Sequence, residues 1–295
     1  MIQGMLGWLA GWLLGLASPA GWTHPQMETV GCPASFDLAR LVASSHLIVA
    51  GSIPIGARGP IMAAPSQSYI SIPLEVEHII KGSAPSILTV RHYSEDRTYS
   101  PSLKQLADSS GSLSLSFLVQ VDEAGPQLFF AGSTPDAFRP TSEIALAAVR
   151  AEVARQERIL STWRPDPRRP HFDEVVELVS RLGRADRVEQ RLIFQRLEKL
   201  GTPAVPAIIA VMDDRRPLND PHISLVNRAA DAFEGMRHYG PALVVDGLEA
   251  ILNQITGRSF GAIHNGGSER ERQATVAGWR VYAADLDCPT GGPAG

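Results

Sequence analysis

The chain has 295 residues, 44% of them apolar, with 22 prolines and 26 glycines: a turn-rich globular composition with enough material for two compact parts. A formal net charge of −4, from 27 basic and 31 acidic residues, excludes a surface that works by coating phosphate backbones, so nucleic acid is not an expected partner. Charge also divides the chain, with 17 charged side chains in residues 28–140 and 41 in residues 141–295. Sparse charge suits strands and turns, dense charge the solvent faces of amphipathic helices. The expected fold class is therefore α+β: a small N-terminal β-barrel followed by an array of helices.

Residues 1–27 carry no charged side chain, and Met5 to Ala17 form an apolar run of about thirteen residues, too short for a ~30 Å hydrocarbon layer. With small Ser18 and Ala20 behind it, the segment reads as a signal peptide over residues 1–20, implying a periplasmic or secreted protein. No Lys or Arg precedes the run, so an uncleaved membrane anchor stays open as the alternative. Two cysteines follow, Cys32 and Cys288. In an exported chain an even count invites a disulfide, but two residues supply no spacing that separates a bridge from two unrelated thiols.

A β-rich region is expected over residues 32–135. Phe36 to Ala43 predicts a short helix leading into His46–Ile53, an apolar strand ended by Pro54, and the stretch to Gln67 predicts a loop. Ile70, Ile72, Leu74 and Val76 alternate with polar neighbours, with Pro73 marking an edge or a bulge. Lys81-Gly82-Ser83 turns the chain into Ile87–Tyr93, and Leu113, Leu115, Phe117, Val119 and Val121 form another alternating strand before Leu128–Ala131. About five strands suffice to close a small barrel. The opening Cys32, the segments Leu38–Ile53 and Leu74–Tyr93, and Leu113–Val121 resemble the netrin-like, or tissue-inhibitor-of-metalloproteinase-like, domain, an OB-type barrel. The chain lacks the Cys-x-Cys pair of such inhibitors, so the resemblance implies the fold without their chemistry.

Helical periodicity runs over residues 142–285. Ile144, Ala148, Ala151 and Arg155 mark a first helix, which ends before the proline-rich connector Arg164–Pro170. Val175, Leu178, Val179 and Leu182 form a buried stripe, repeated by Ile193, Phe194, Leu197 and Leu200. Gly201 ends that helix, and Thr202-Pro203 starts the next, with Thr202 as its cap. Arg196 to Asp214 resembles a HEAT repeat at the junction of its two helices. Ser224–Tyr239 and Leu243–Ile255, joined by Gly240-Pro241, are expected to repeat that helix pair about 38 residues on. Ser268 and Glu271 fit a capping box, and Val276, Trp279 and Ala283 a buried stripe. Ile255 to Tyr282, with Phe260-Gly261, Asn265-Gly266-Gly267 and Trp279, is similar to the terminal segment of secreted bacterial HEAT-repeat proteins without assigned function. Residues 286–295 are expected to be a flexible tail.

No catalytic, cofactor-binding or metal-ligating set stands out, and no cofactor is expected. Glu75, Glu77 and His78 read as a solvated strand face, and Asp213-Asp214 as a helix end. Arg164, Arg168 and Arg169 make a concentrated positive patch that could grip an acidic partner. His264 and Asn265 lie in a turn leading onto a helix N-terminus, where Ser268 is expected to cap rather than leave the amides for an anion. These five are the candidate partner contacts. The function these features imply is extracytoplasmic binding or scaffolding of an envelope or extracellular protein; an envelope hydrolase whose groups converge only in the fold, and a netrin-like protease inhibitor, are the alternatives.

Overall fold

The computed structural model describes residues 31–64, 69–93, 101–121, 125–128, 137–227 and 234–289. The predicted signal segment therefore lies outside the described residues. Helix α1 (Phe36–Ser44) starts where Ser35 Oγ accepts from the Leu38 N–H at 3.3 Å. Strand β1 (Leu47–Ser52) follows and is buried on both faces. Leu47 and Val49 join one core cluster with Ile72, Leu74, Leu88 and Val90, while Ile48 and Ala50 join a second with Leu41, Val42, Phe117 and Val149. Two buried faces explain why this strand shows an unbroken apolar run instead of alternation.

The stretch expected as a loop after Pro54 contains a 3₁₀ turn (Ile55–Ala57) and a short helix α2 (Arg58–Met62), with Ile61 buried in the first cluster. Strand β2 (Tyr69–Lys81) pairs with β3 (Ile87–Tyr93) through residues 69–75 and with β1 through residues 75–81. Pro73 lies in the half that β1 leaves unpaired, where a missing N–H costs no ladder bond. Gly82 turns the chain at φ +81, and a Cβ there would sit 2.7 Å from the His46 carbonyl oxygen.

Helix α3 (Leu103–Asp108), unanticipated from sequence, carries a capping box between Ser102 and Gln105 and buries Leu103, Leu106 and Ala107. It is tied to the end of β3 by buried His92, whose Nε2–H donates to the Pro101 carbonyl at 2.8 Å. Burial pushes the His92 imidazole down to about 4, against the pull of that carbonyl. Because the folded value lies below the unfolded one, unfolding takes up a proton between about pH 4 and 6.5, and stability present above pH 6.5 is lost as pH falls through that window. Urea titrations at pH 7 and pH 5 should show about 2 kcal/mol of acid destabilisation that is missing in His92→Gln. Equal acid sensitivity in both proteins would reject the assignment.

Strand β4 (Leu113–Val121) pairs antiparallel with β1, with β5 (Gly125–Leu128) and with β6 (Phe138–Pro140). Gly125-Pro126, read from sequence as turn, belongs to β5. Among the described residues the sheet has six strands, and β3 meets β5 at one parallel bridge, Arg91–Gln127. The expected closed five-strand barrel is corrected accordingly: short β5 spends its ladder on β4, and among the described residues that one bridge is the whole seam toward β3; residues 129–131 of the strand expected over Leu128–Ala131 lie outside them.

Helices follow. α4 (Glu143–Thr162) is capped by Ser142, but its buried face is Leu146, Val149, Val153 and Ile159; Ile144, Ala148 and Ala151 are exposed. α5 (Phe172–Leu182) and α6 (Arg187–Leu200) bury Val175, Val179 and Leu182, and Ile193, Phe194 and Leu197, as their spacing predicts, while Leu178 and Leu200 of the expected stripes are half-buried. Gly201 (φ +68) ends α6, and Thr202 lies inside a 3₁₀ turn (Thr202–Ala204) instead of capping α7 (Val205–Val211).

The predicted helix over Ser224–Tyr239 is replaced by an antiparallel hairpin, β7 (Ile223–Val226) and β8 (Met236–Tyr239). In β7 Ile223 and Leu225 are buried while Ser224 and Val226 are exposed, a period of two within four residues that overrides the repeat spacing. α8 (Val244–Thr256) and α9 (Glu269–Asp285) complete the chain, and Ser268 with Glu271 forms the expected capping box. Phe260 packs edge-on against buried Trp279 at 5.0 Å, and a Cβ on Gly261 would meet Thr275 Oγ1 at 2.1 Å. Among the described residues no helix is long and apolar enough to cross a membrane.

Candidate functional site

Helix α1 lies against α4 and α9, so the first described helix and the last are neighbours. Cys32 and Cys288 form a disulfide with Cα atoms 5.6 Å apart, joining positions 256 residues apart in sequence. Beside it, buried Arg155 of α4 donates from Nε and Nη2 to Glu152 (both 2.8 Å) and from Nη1 to Asp285 of α9 (2.7 Å). Its Nη1 also reaches the Gly31 carbonyl at 3.3 Å, and Gln156 bonds both Glu152 and the Ala39 carbonyl of α1. Burial works against the Arg155 charge, yet the two carboxylates hold its pKa above the ordinary range. Burial moves the Asp285 carboxyl upward, with Arg155 pulling it back.

Between α1 and α9 lies a cavity of about 560 Å³, within the range of small-molecule sites. Its apolar wall is Ala39 and Ala43 of α1, Phe260, and Val281 of α9. Polar groups of both signs line the same space: Asp37 and Arg40 of α1, Arg258, and Tyr282 and Asp285 of α9. The Arg40 guanidinium is depressed by burial and then by the like charge of Arg258, with Asp37 opposing both. Burial raises the Tyr282 phenol, and Arg258 acts in the other direction. Pro33 and Pro289, next to the two half-cystines, also line the cavity, so the disulfide fixes one end of it.

A second cluster lies on α8. Fully buried Glu249 accepts from Ser259 Oγ at 2.9 Å and from His264 Nδ1–H at 3.0 Å. The Tyr239 ring stands edge-on to His264 at 5.3 Å, and Asn265 Oδ1 accepts from the Gly240 N–H at 2.8 Å. His264 and Asn265, singled out from sequence, are therefore brought together, as clips that hold the α8–α9 loop to α8 and to the end of β8.

The connector arginines have partners of their own. Arg168, exposed, pairs with Asp166 at 2.9 Å. Arg169 donates to Asp287 at 2.8 Å, and Arg164 to the Trp163 carbonyl at 2.5 Å. Asp166 and Asp287 offset two of the three charges, and Asp287 and Cys288 anchor the start of the predicted tail. Glu75, Glu77 and His78 are exposed, and no group of three metal-ligating side chains occurs among the described residues. Asp213 pairs with Arg215 and Arg280, Asp214 with Arg216.

Sequence reasoning missed Arg40, Arg258, Tyr282 and Glu249. One signal was present: Glu152 and Arg155, three apart on a helix, share a face with Val149 and Ile159, where an ion pair must be buried. No protein family, curated protein or solved structure matches this chain.

Proposed function

We propose that this chain is an extracytoplasmic binding or scaffold protein. The observation that carries the reading is the Cys32–Cys288 disulfide, because such bonds persist in oxidising compartments and are reduced in the cytosol. The apolar segment Met5 to Ala17 supports the same compartment as an export signal. A binding role is supported by what the polar groups do: His264 and Glu249 clip a loop, Arg169 holds Asp287 beyond α9, and the cavity between α1 and α9 combines an apolar wall with arginines and aspartates.

In architecture, we take the strand circuit as a netrin-like OB-type domain opened at the β3–β5 seam. We take α5 to α7 as one HEAT-like unit, its successor modified by the β7–β8 hairpin. Stacked helices of this kind present an extended surface to a partner protein of the envelope or the medium.

The test is peptide mapping of the protein isolated from producing cells after thiols are blocked. The expected result is a linked Cys32–Cys288 peptide pair and a mature N-terminus at Gly21. Two alkylated thiols on a cytoplasmic chain retaining Met1 would refute the reading.

A further inference from the structure

Resting on the binding reading above, we propose that the cavity between α1 and α9 binds a small uncharged molecule, an aromatic or branched apolar body carrying one oxygen acceptor such as a carbonyl.

A space of about 560 Å³ accommodates a compact organic molecule, and Ala39, Ala43, Phe260 and Val281 offer it aliphatic and aromatic surface. These side chains are held by packing that has nothing to do with a ligand: Phe260 stands edge-on to Trp279, while Ala39 and Ala43 lie on the buried face of α1. The wall is therefore formed before a ligand arrives, which lowers the ordering cost of binding.

The charges around this wall cancel. Arg40 and Arg258 line the space, and so do Asp37 and Asp285. Asp37 favours the Arg40 charge and opposes the push of Arg258 upon it. Arg155 is shared between Asp285 and Glu152, so that triad keeps one negative charge, and Arg258 supplies the offsetting positive one in the same lining. An ion of either sign would give up its hydration on entering and meet no counter-charge left unanswered. An uncharged ligand has less hydration to lose, while its apolar body gains the wall.

Tyr282 is the polar handle. Its ring is held by Trp279 at 5.4 Å and Phe260 at 6.0 Å, and it lines the cavity beside Arg258. Burial raises the phenol, so the hydroxyl keeps its proton and donates. A carbonyl oxygen accepts such a bond without bringing a charge.

The experiment is calorimetric titration of the disulfide-intact protein with three probes of one skeleton: 4-phenylbutan-2-one, 4-phenylbutanoate and 4-phenylbutylamine. The ketone should bind tightest, with the carboxylate and the amine each about tenfold weaker. Tyr282→Phe keeps the ring contacts and should weaken the ketone about fivefold at an unchanged melting temperature, the worth of one neutral hydrogen bond. Single charge changes should shift the selectivity: Asp37→Asn should tighten the carboxylate alone, and Arg258→Gln, at an exposed position, the amine alone. A charged probe binding tightest to the wild type, a Tyr282→Phe protein that binds the ketone as before, charge variants that leave both ions unaffected, or absence of binding by all three probes would each overturn the proposal. Since the titration uses purified protein, its failure leaves the disulfide and the compartment reading intact, and a cytoplasmic reduced chain would leave the titration result standing.

Discussion

Arg155→Ala should lose about 3–5 kcal/mol of folding stability, the cost of leaving two buried carboxylates without their shared cation. Glu152 and Asp285 are both buried, and Arg155 bonds each through two nitrogens. With the arginine gone, the carboxyls stay in a poorly solvating site and take protons on folding. Their folded pKa values then lie above the unfolded ones, so the variant loses stability as pH rises from the ordinary carboxylate range toward those raised values. Asp285 already leans in that direction in the intact protein. The deficit relative to wild type, read from urea midpoints, should therefore be larger at pH 7 than at pH 5. A triple change, Arg155→Met with Glu152→Met and Asp285→Leu, removes the charges together and should restore most of the loss. A single variant as stable as wild type would show that the triad contributes nothing to the α4–α9 contact.

The second large effect belongs to the disulfide. Cys32→Ser with Cys288→Ser should destabilise by about 3–5 kcal/mol, since a bridge across nearly the whole described chain removes much of the freedom of the unfolded state. The loss should be reproduced by reducing the wild type before the melt. Gly31, whose carbonyl accepts from Arg155, neighbours Cys32, so the bridge and the ion triad brace one place. Combined with Arg155→Ala, the serine pair should cost less than the two losses added, because each removes part of what the other holds. Strict additivity would mean that the bridge and the triad act independently.

How much of this was legible in the sequence follows from the distance over which each feature is specified. The unbroken apolar run of β1, the alternation of β4, the stripes of α5, α6 and α9, and the Ser268 cap are written in windows of a few residues, where a short run or a period of two or 3.6 names the element. The edge position of Pro73 was legible for the same reason, since a missing N–H is a property of one residue. α4 was found as a helix, but of the residues that marked it only Arg155 is buried. Alanines fit either side, and the choice fell to Leu146 and Val149 because they meet β1, β4 and α1. The hairpin over β7 and β8 was misread when the spacing of two prolines outweighed a local alternation in Ile223–Val226.

The sequence by itself determined the class of the molecule: α+β, sparsely charged strands followed by charged helices, with cysteines placed before the first strand and after the last helix. Which of those groups meet was decided only in the tertiary structure. Arg155 and Asp285 are 130 residues apart, the half-cystines 256, and Arg40 faces Arg258 only because α1 lies against α9. Periodicity states which face of a helix turns inward and carries no record of what it turns toward. A cavity, a buried ion triad and a loop clip are relations between faces, and so they exist only after the chain has folded.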